Sequence, residues 1–309
     1  MPKPLVRYRS VIADNARWEG FAFRDGDIII STPPKCGTTW TQMICALLIF
    51  QTADLPRPVD QISPWLEQSL RKPEDVVRDL EAQEHRRFIK SHTPMDGLPL
   101  DDRVTYICVG RDPRDAALSW DNHMNNLDLA ALFAQRERAV GLEDLAELMP
   151  DEVPVPPPTE IERFWRWVDE SPDLSQSVGG LAATLHHLET FWRERERPNV
   201  IMLHYAELED DLEGQMRGLA SLLGIDVPNG LWPDLVRAAT FDEMRSRAEE
   251  RAPNATDPIW VDTGRFFNKG HSGQWRRLLD ASDLERYARR VGELVDDDLS
   301  HWVHRGRIL

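Results

Sequence analysis

The sequence predicts an α/β fold in which helices cover both faces of a parallel sheet. Three observations carry this expectation. Short β-branched runs recur along the chain, helical patterns separate them, and two of the runs pass through a turn straight into a helix. The 309 residues, 41% of them hydrophobic, suffice for one large domain or two small ones.

The expected strands are Asp27–Ser31 (DIIIS), Arg87–Ser91 (RFIKS), Val104–Val109 (VTYICV) and Val200–His204 (VIMLH). A helix is expected from Thr38 onward (TTWTQMICALLIF), and another opens at Asp112–Pro113, where proline at the first turn lacks only an N–H the helix does not use. Leu181–Arg197 and Leu208–Leu223 each read as one amphipathic helix, the second stopped by Gly224. Residues 125–160, ending in a proline cluster, and residues 250–270 break the rhythm and are expected to be functional lids or disordered segments.

A net charge of −16 argues against nucleic acid as a partner, so an anionic ligand must be held by a few local cations. Cys36, Cys45 and Cys108 are three and well separated, a poor disulfide framework that suits a reducing cytoplasm. MPKPLVRYRS has no apolar core of a signal peptide, and the greasiest run, Ile44–Phe50, is too short to span a bilayer; no stable membrane insertion is expected.

Four segments carry chemistry. In IIISTPPKCGTTWTQMI a buried strand turns through Pro33–Pro34, Gly37 frees the backbone and a helix opens at Thr38–Thr39. Free N–H groups and the positive helix end then converge where Lys35 adds a full charge, an arrangement suited to phosphate. An ordinary turn with a threonine cap would also give Gly-Thr-Thr; lysine two residues before the glycine favours the anion. Because Lys35 precedes Gly37, this is not the Walker A pattern that pairs with Mg²⁺ and a γ-phosphate, and no metal is expected.

In YICVGRDPRDAALSW, Arg111 ends a strand and Ser119 lies about two helical turns on. Arg111 offers a planar fork for phosphate or a salt bridge; Arg114 and Asp115 read as surface pairs. In FIKSHTPMDGLP, Lys90 and His92 share one side at a strand end, the edge that faces the ligand crevice of an open parallel sheet, and histidine there can take a proton near neutral pH. GRFFNKGHSGQW offers two aromatics, a lysine and glycines to close over a ligand, while Trp40, Phe241 and Phe266 are either core or purine-stacking aromatics.

In this order the four segments resemble the cytosolic-type sulfotransferases, a bacterial-like member among them, which use 3′-phosphoadenosine 5′-phosphosulfate (PAPS). PKCGTTW looks like the family's PKSGTTW, KSHTP like KTHLP, GRDPRDAALSW like its 3′-phosphate strand and helix, and NKGHSGQW like RKGxxGDW; the resemblance runs from Asp27 to Trp275. It implies a P-loop-like three-layer fold with a central parallel sheet flanked by helices, one domain over residues 1–309, and lid insertions near 123–165 and 250–270. It implies that Lys35 neutralises the departing 5′-phosphate, while Cys36, Gly37, Thr38, Thr39 and Trp40 wrap the phosphosulfate, Trp40 stacking on adenine. Arg111 and Ser119 would hold the 3′-phosphate, Ser119 also restraining Lys35 until acceptor binds. His92 would be the general base and Lys90 would stabilise the transferring sulfonate. Tyr205, Thr240 and Phe241 match positions near the adenosine, and Phe267, Asn268, Lys269 and Gly270 those over the 3′-phosphate.

The chain departs from the family at Asn268, where arginine is usual, at Ala239, where threonine is common, and at Cys36, whose thiol is expected to acidify beside Lys35 and a helix end. RRLLDASDLERY lacks the dimer motif of animal members, leaving oligomeric state open. The expected activity is sulfonate transfer from PAPS to a hydroxyl of an apolar alcohol, phenol or lipid-like acceptor, whose pocket would draw on residues 60–70, 123–165 and 250–266. The alternatives are a P-loop kinase of a small metabolite and a non-catalytic nucleotide binder.

Overall fold

Four parallel strands, β1 (Ile28–Ser31), β2 (Phe88–Ser91), β3 (Thr105–Gly110) and β4 (Val200–His204), form one sheet in the order β2-β1-β3-β4 in a computed structural model. It describes residues 5–149, 155–170, 173–177, 179–247, 259–267 and 270–306. The register pairs Ile28 with Phe88 and Thr105, and Tyr106 with Val200. β1 is buried along its whole length because helices cover both faces, as its unbroken IIIS run requires. Ile28, Ile30, Ile107 and Val109 pack with the helix Thr38–Phe50, while Ile29, Ile89, Tyr106 and Cys108 pack on the other face with Trp18, Phe191 and Trp302. A buried Asp27–Arg87 ion pair, each side chain 1% exposed, pins the starts of β1 and β2.

This order creates a switch point between β1 and β3, since the chain leaves β1 toward one edge and later passes back across it to β3. Open α/β sheets bind ligands in the crevice beyond such a point. The loop after β1, Lys90–His92 of β2, Arg111 after β3 and Tyr205 after β4 all stand at this carboxyl end.

Several expectations change. The helix expected over Leu208–Leu223 is two, Tyr205–Asp210 and Leu212–Leu222, because Asp211 takes an extended φ and its carboxylate accepts from Gly214 N–H. The helix from Leu181 stops at Arg193, where the polar Glu-Arg-Glu-Arg run offers nothing apolar to bury. Part of the stretch expected to be irregular folds into helices Leu129–Val140 and Leu145–Leu148. Among the described residues no helix is long and apolar enough to cross a membrane.

Candidate active site

The turn after β1 rests on two left-handed residues, Lys35 at φ 68° and Gly37 at φ 102°. Such a conformation costs about 1–3 kcal/mol at a lysine and persists only where the surroundings enforce it. Arg111 enforces it by donating from Nη1 to the Lys35 carbonyl at 2.7 Å. Gly37 is required for space as well, since a Cβ there would stand 3.2 Å from the Tyr205 ring. The helix Thr38–Phe50 then begins without a side-chain cap, and its first N–H groups have no carbonyl within the helix to receive them. Thr38 and Thr32 hydroxyls meet at 2.5 Å. Cys36 is fully buried, and burial outweighs the nearby Arg111 and Lys35 charges, pushing its thiol up to about 12. The expected acidic thiol is therefore corrected: desolvation of a thiolate wins over two cations.

His92 stands just past β2 with Nδ1 2.7 Å from the Thr32 carbonyl. A carbonyl only accepts, so Nδ1 carries the proton and Nε2 keeps its lone pair. That is the tautomer a general base needs. The Trp65 ring meets His92 edge-on at 4.9 Å, and Lys90 Nζ lies 4.8 Å from the same ring. Lys35 Nζ approaches His123 Nδ1 at 3.5 Å and the Phe266 ring at 4.7 Å. Ser119 lines the same cavity, but among the described residues no hydrogen bond joins it to Lys35; His123, one helical turn further along, holds that contact. Burial, with the positive charges of Arg111 and Lys90, lowers Lys35 to about 7. Burial lowers Lys90 to about 8 against the opposing pull of Asp60 and Glu67. Burial and Lys90 together push His92 well below its ordinary value. Crowded, desolvated cations of this kind are poised for an anion that restores their charge.

Arg111 is only 5% exposed, its guanidinium lies 4.2 Å over the Tyr205 ring, and among the described residues its Nε has no hydrogen-bond partner. Trp40 packs edge-on against Tyr205 at 5.1 Å and donates its indole N–H to the Ala239 carbonyl. Phe241, Phe267 and Gly270 line the cavity nearby, and a Cβ at Gly270 would fall 2.2 Å from the Phe241 ring. Thr240 stands apart: its hydroxyl donates to the Arg237 carbonyl and caps the helix Phe241–Ser246. Asn268 and Lys269 lie outside the described residues. Arg114 and Asp115 are not surface pairs. Arg114 forms a largely covered pair with Asp112, and buried Asp115 accepts from the N–H groups of Gly273 and Trp275, tying that loop to the helix after β3.

One cavity of about 920 Å³ joins these groups, and Leu70, Leu132, Phe133, Ile259 and Trp260 extend its apolar wall away from them. His123, held between Trp120 and Trp260, sits at the junction. The chemistry-bearing motifs do not include it, although its position four residues after Ser119 on one helix face is a usable signal. Among the described residues no group of three or more His, Cys, Asp or Glu side chains converges as a metal site.

A sulfotransferase domain model matches residues 25–298. A glycolipid sulfotransferase of Mycobacterium bovis is 45% identical over 317 residues, covering 98% of this chain and 95% of its own. That of Mycobacterium tuberculosis is 46% identical over 309 residues, with the same coverage. A mouse sulfotransferase solved with adenosine 3′,5′-bisphosphate (PAP) superposes with a TM-score of 0.64 at 19% identity, covering 94% of this chain and 92% of its own. The chain belongs to the sulfotransferase family.

Proposed function

We propose that this sulfotransferase moves the sulfonate of PAPS to a hydroxyl of a glycolipid-like acceptor. The observation that carries the reading is a set of cations, half-buried Lys35 and Lys90 and buried Arg111, gathered at the strand ends beside a base-form histidine and an apolar cavity. Among the described residues the Nε of buried Arg111 has no partner, a donor in want of an acceptor that fits a phosphate. PAPS, when bound, supplies a sulfonate activated by its phosphate leaving group.

The chain's residues do the rest. Lys35 and the N–H groups of residues 36–40 hold the 5′-phosphosulfate, the ammonium neutralising charge that grows on the leaving oxygen. Arg111 and Ser119 hold the 3′-phosphate, completed by Phe267, Asn268, Lys269 and Gly270, while Trp40, Tyr205 and Phe241 flank the adenosine. Thr240 contributes as a helix cap. His92 Nε2 takes the acceptor's proton, and Lys90 steadies the sulfonate.

The mycobacterial relatives' names point to a glycolipid, and the apolar wall at Leu70, Leu132, Phe133 and Ile259 suits a lipid body with its hydroxyl toward His92. We read the whole chain as one sulfotransferase domain, with the described parts of segments 123–165 and 250–270 covering the acceptor mouth. A thermal-shift comparison tests the donor: PAP should raise the melting temperature, and ATP with Mg²⁺ should not. Stabilisation by ATP with Mg²⁺ alone would favour the kinase instead.

A further inference from the structure

Glu67 is a fully buried carboxylate that the chemistry above does not use. Its Oε1 accepts from Trp18 Nε1 at 2.6 Å, from Thr93 Oγ1 at 2.9 Å and from Ser91 Oγ, while among the described residues Oε2 has no hydrogen-bond partner. Ser91 Oγ in turn accepts from the Thr93 N–H, so its own proton is committed to Glu67. Burial pushes this carboxyl above its ordinary value, and the three donors on one oxygen oppose that by favouring the acceptor-only carboxylate. The residues tethered here, Ser91 and Thr93, stand on either side of His92.

We propose that Glu67 is a positioning residue for the His92–Lys90 pair: its carboxylate ties down the chain on both sides of His92 and supplies negative charge toward the Lys90 ammonium. The inference rests on the roles assigned to those two residues under Proposed function. The charged and titratable groups around Lys90 are Asp60 from the helix Val59–Ile62, Glu67, Lys35 from the phosphate loop, His92 and His123. Among the described residues, only Asp60 and Glu67 favour its ammonium form. Removing one of two such carboxylates should lower the Lys90 pKa by about one unit.

Glu67→Gln tests the charge, because it removes the charge at nearly constant shape while its amide oxygen can still accept two of the three hydrogen bonds. The alkaline limb of kcat, measured at saturating PAPS so that Lys35 is held charged, should move about one pH unit lower, with PAP affinity within about twofold of wild type. A pH profile superimposable on wild type would overturn the charge role. Ser91→Ala combined with Thr93→Val tests the tether while leaving Glu67 in place. It should lower kcat about tenfold at unchanged PAP affinity; an unchanged kcat would overturn the tether. His92→Ala, assayed alongside, separates the failures. If that variant stays active the functional reading fails, and if it is inactive while Glu67→Gln behaves as wild type only the Glu67 inference fails.

Discussion

Binding of the donor product should carry a proton onto Lys35. In the free protein, burial and the neighbouring Arg111 and Lys90 charges hold this amine at about 7. With that value it is about 90% ammonium at pH 6 and about 10% at pH 8. A phosphate beside it favours the charged form and raises the pKa again, so binding at pH 8 should take up roughly 0.9 proton at this site, and at pH 6 roughly 0.1. The sign follows. The Lys35 contribution to affinity is complete below pH 7 and declines as pH rises toward the bound-state value, about tenfold, or 1.4 kcal/mol, per unit. A return to the ordinary 10.5 would be worth about 5 kcal/mol, an upper limit for the coupling. Calorimetric titration of PAP in two buffers of different ionisation enthalpy measures the uptake. Lys35→Met supplies the reference, since ionisation of the phosphates themselves cancels in the difference. Equal proton uptake by wild type and Lys35→Met at pH 8 would refute the reasoning.

Three further predictions test the site's construction. Gly37→Ala combines a left-handed backbone with a Cβ 3.2 Å from Tyr205, and should weaken PAP binding about tenfold and cost about 1–2 kcal/mol of stability, read by calorimetry and denaturant unfolding. Arg111→Lys loses both the brace on the Lys35 carbonyl and the planar fork, so PAP affinity should fall at least about tenfold although the charge is kept. Cys36, buried and pushed to about 12, should resist iodoacetamide in the native protein at pH 7.5; mass spectrometry finding rapid alkylation there would show the burial to be wrong.

The strands were legible because buried parallel strands need unbroken β-branched runs, and Ile28–Ile30 and Val200–Leu203 are such runs. Local capping was less legible: the apolar period passes smoothly through Asp211, while the chain there turns and begins a second helix. At the site, Lys35, Lys90, His92 and Arg111 could be read because each lies at or just beyond the carboxyl end of a strand. What escaped was burial, which depends on distant partners. The charges near Cys36 are visible in the sequence, but the desolvation that overrides them is not. Glu67 looks like a solvated carboxylate until Trp18, nearly fifty residues earlier, closes over it. His123 sits among polar residues, and only Trp260 and Lys35, remote in sequence, show that it faces the cavity.

The central claim is that His92 and Lys35 drive sulfonate transfer from PAPS to an acceptor hydroxyl. Its most direct measurement is transfer of labelled sulfonate from PAPS to a mycobacterial glycolipid extract, with PAP release followed in parallel. Wild type should form a labelled lipid and PAP in equal amounts, and His92→Ala and Lys35→Ala should each be slower by about two orders of magnitude or more. Either variant turning over near the wild-type rate would contradict the account.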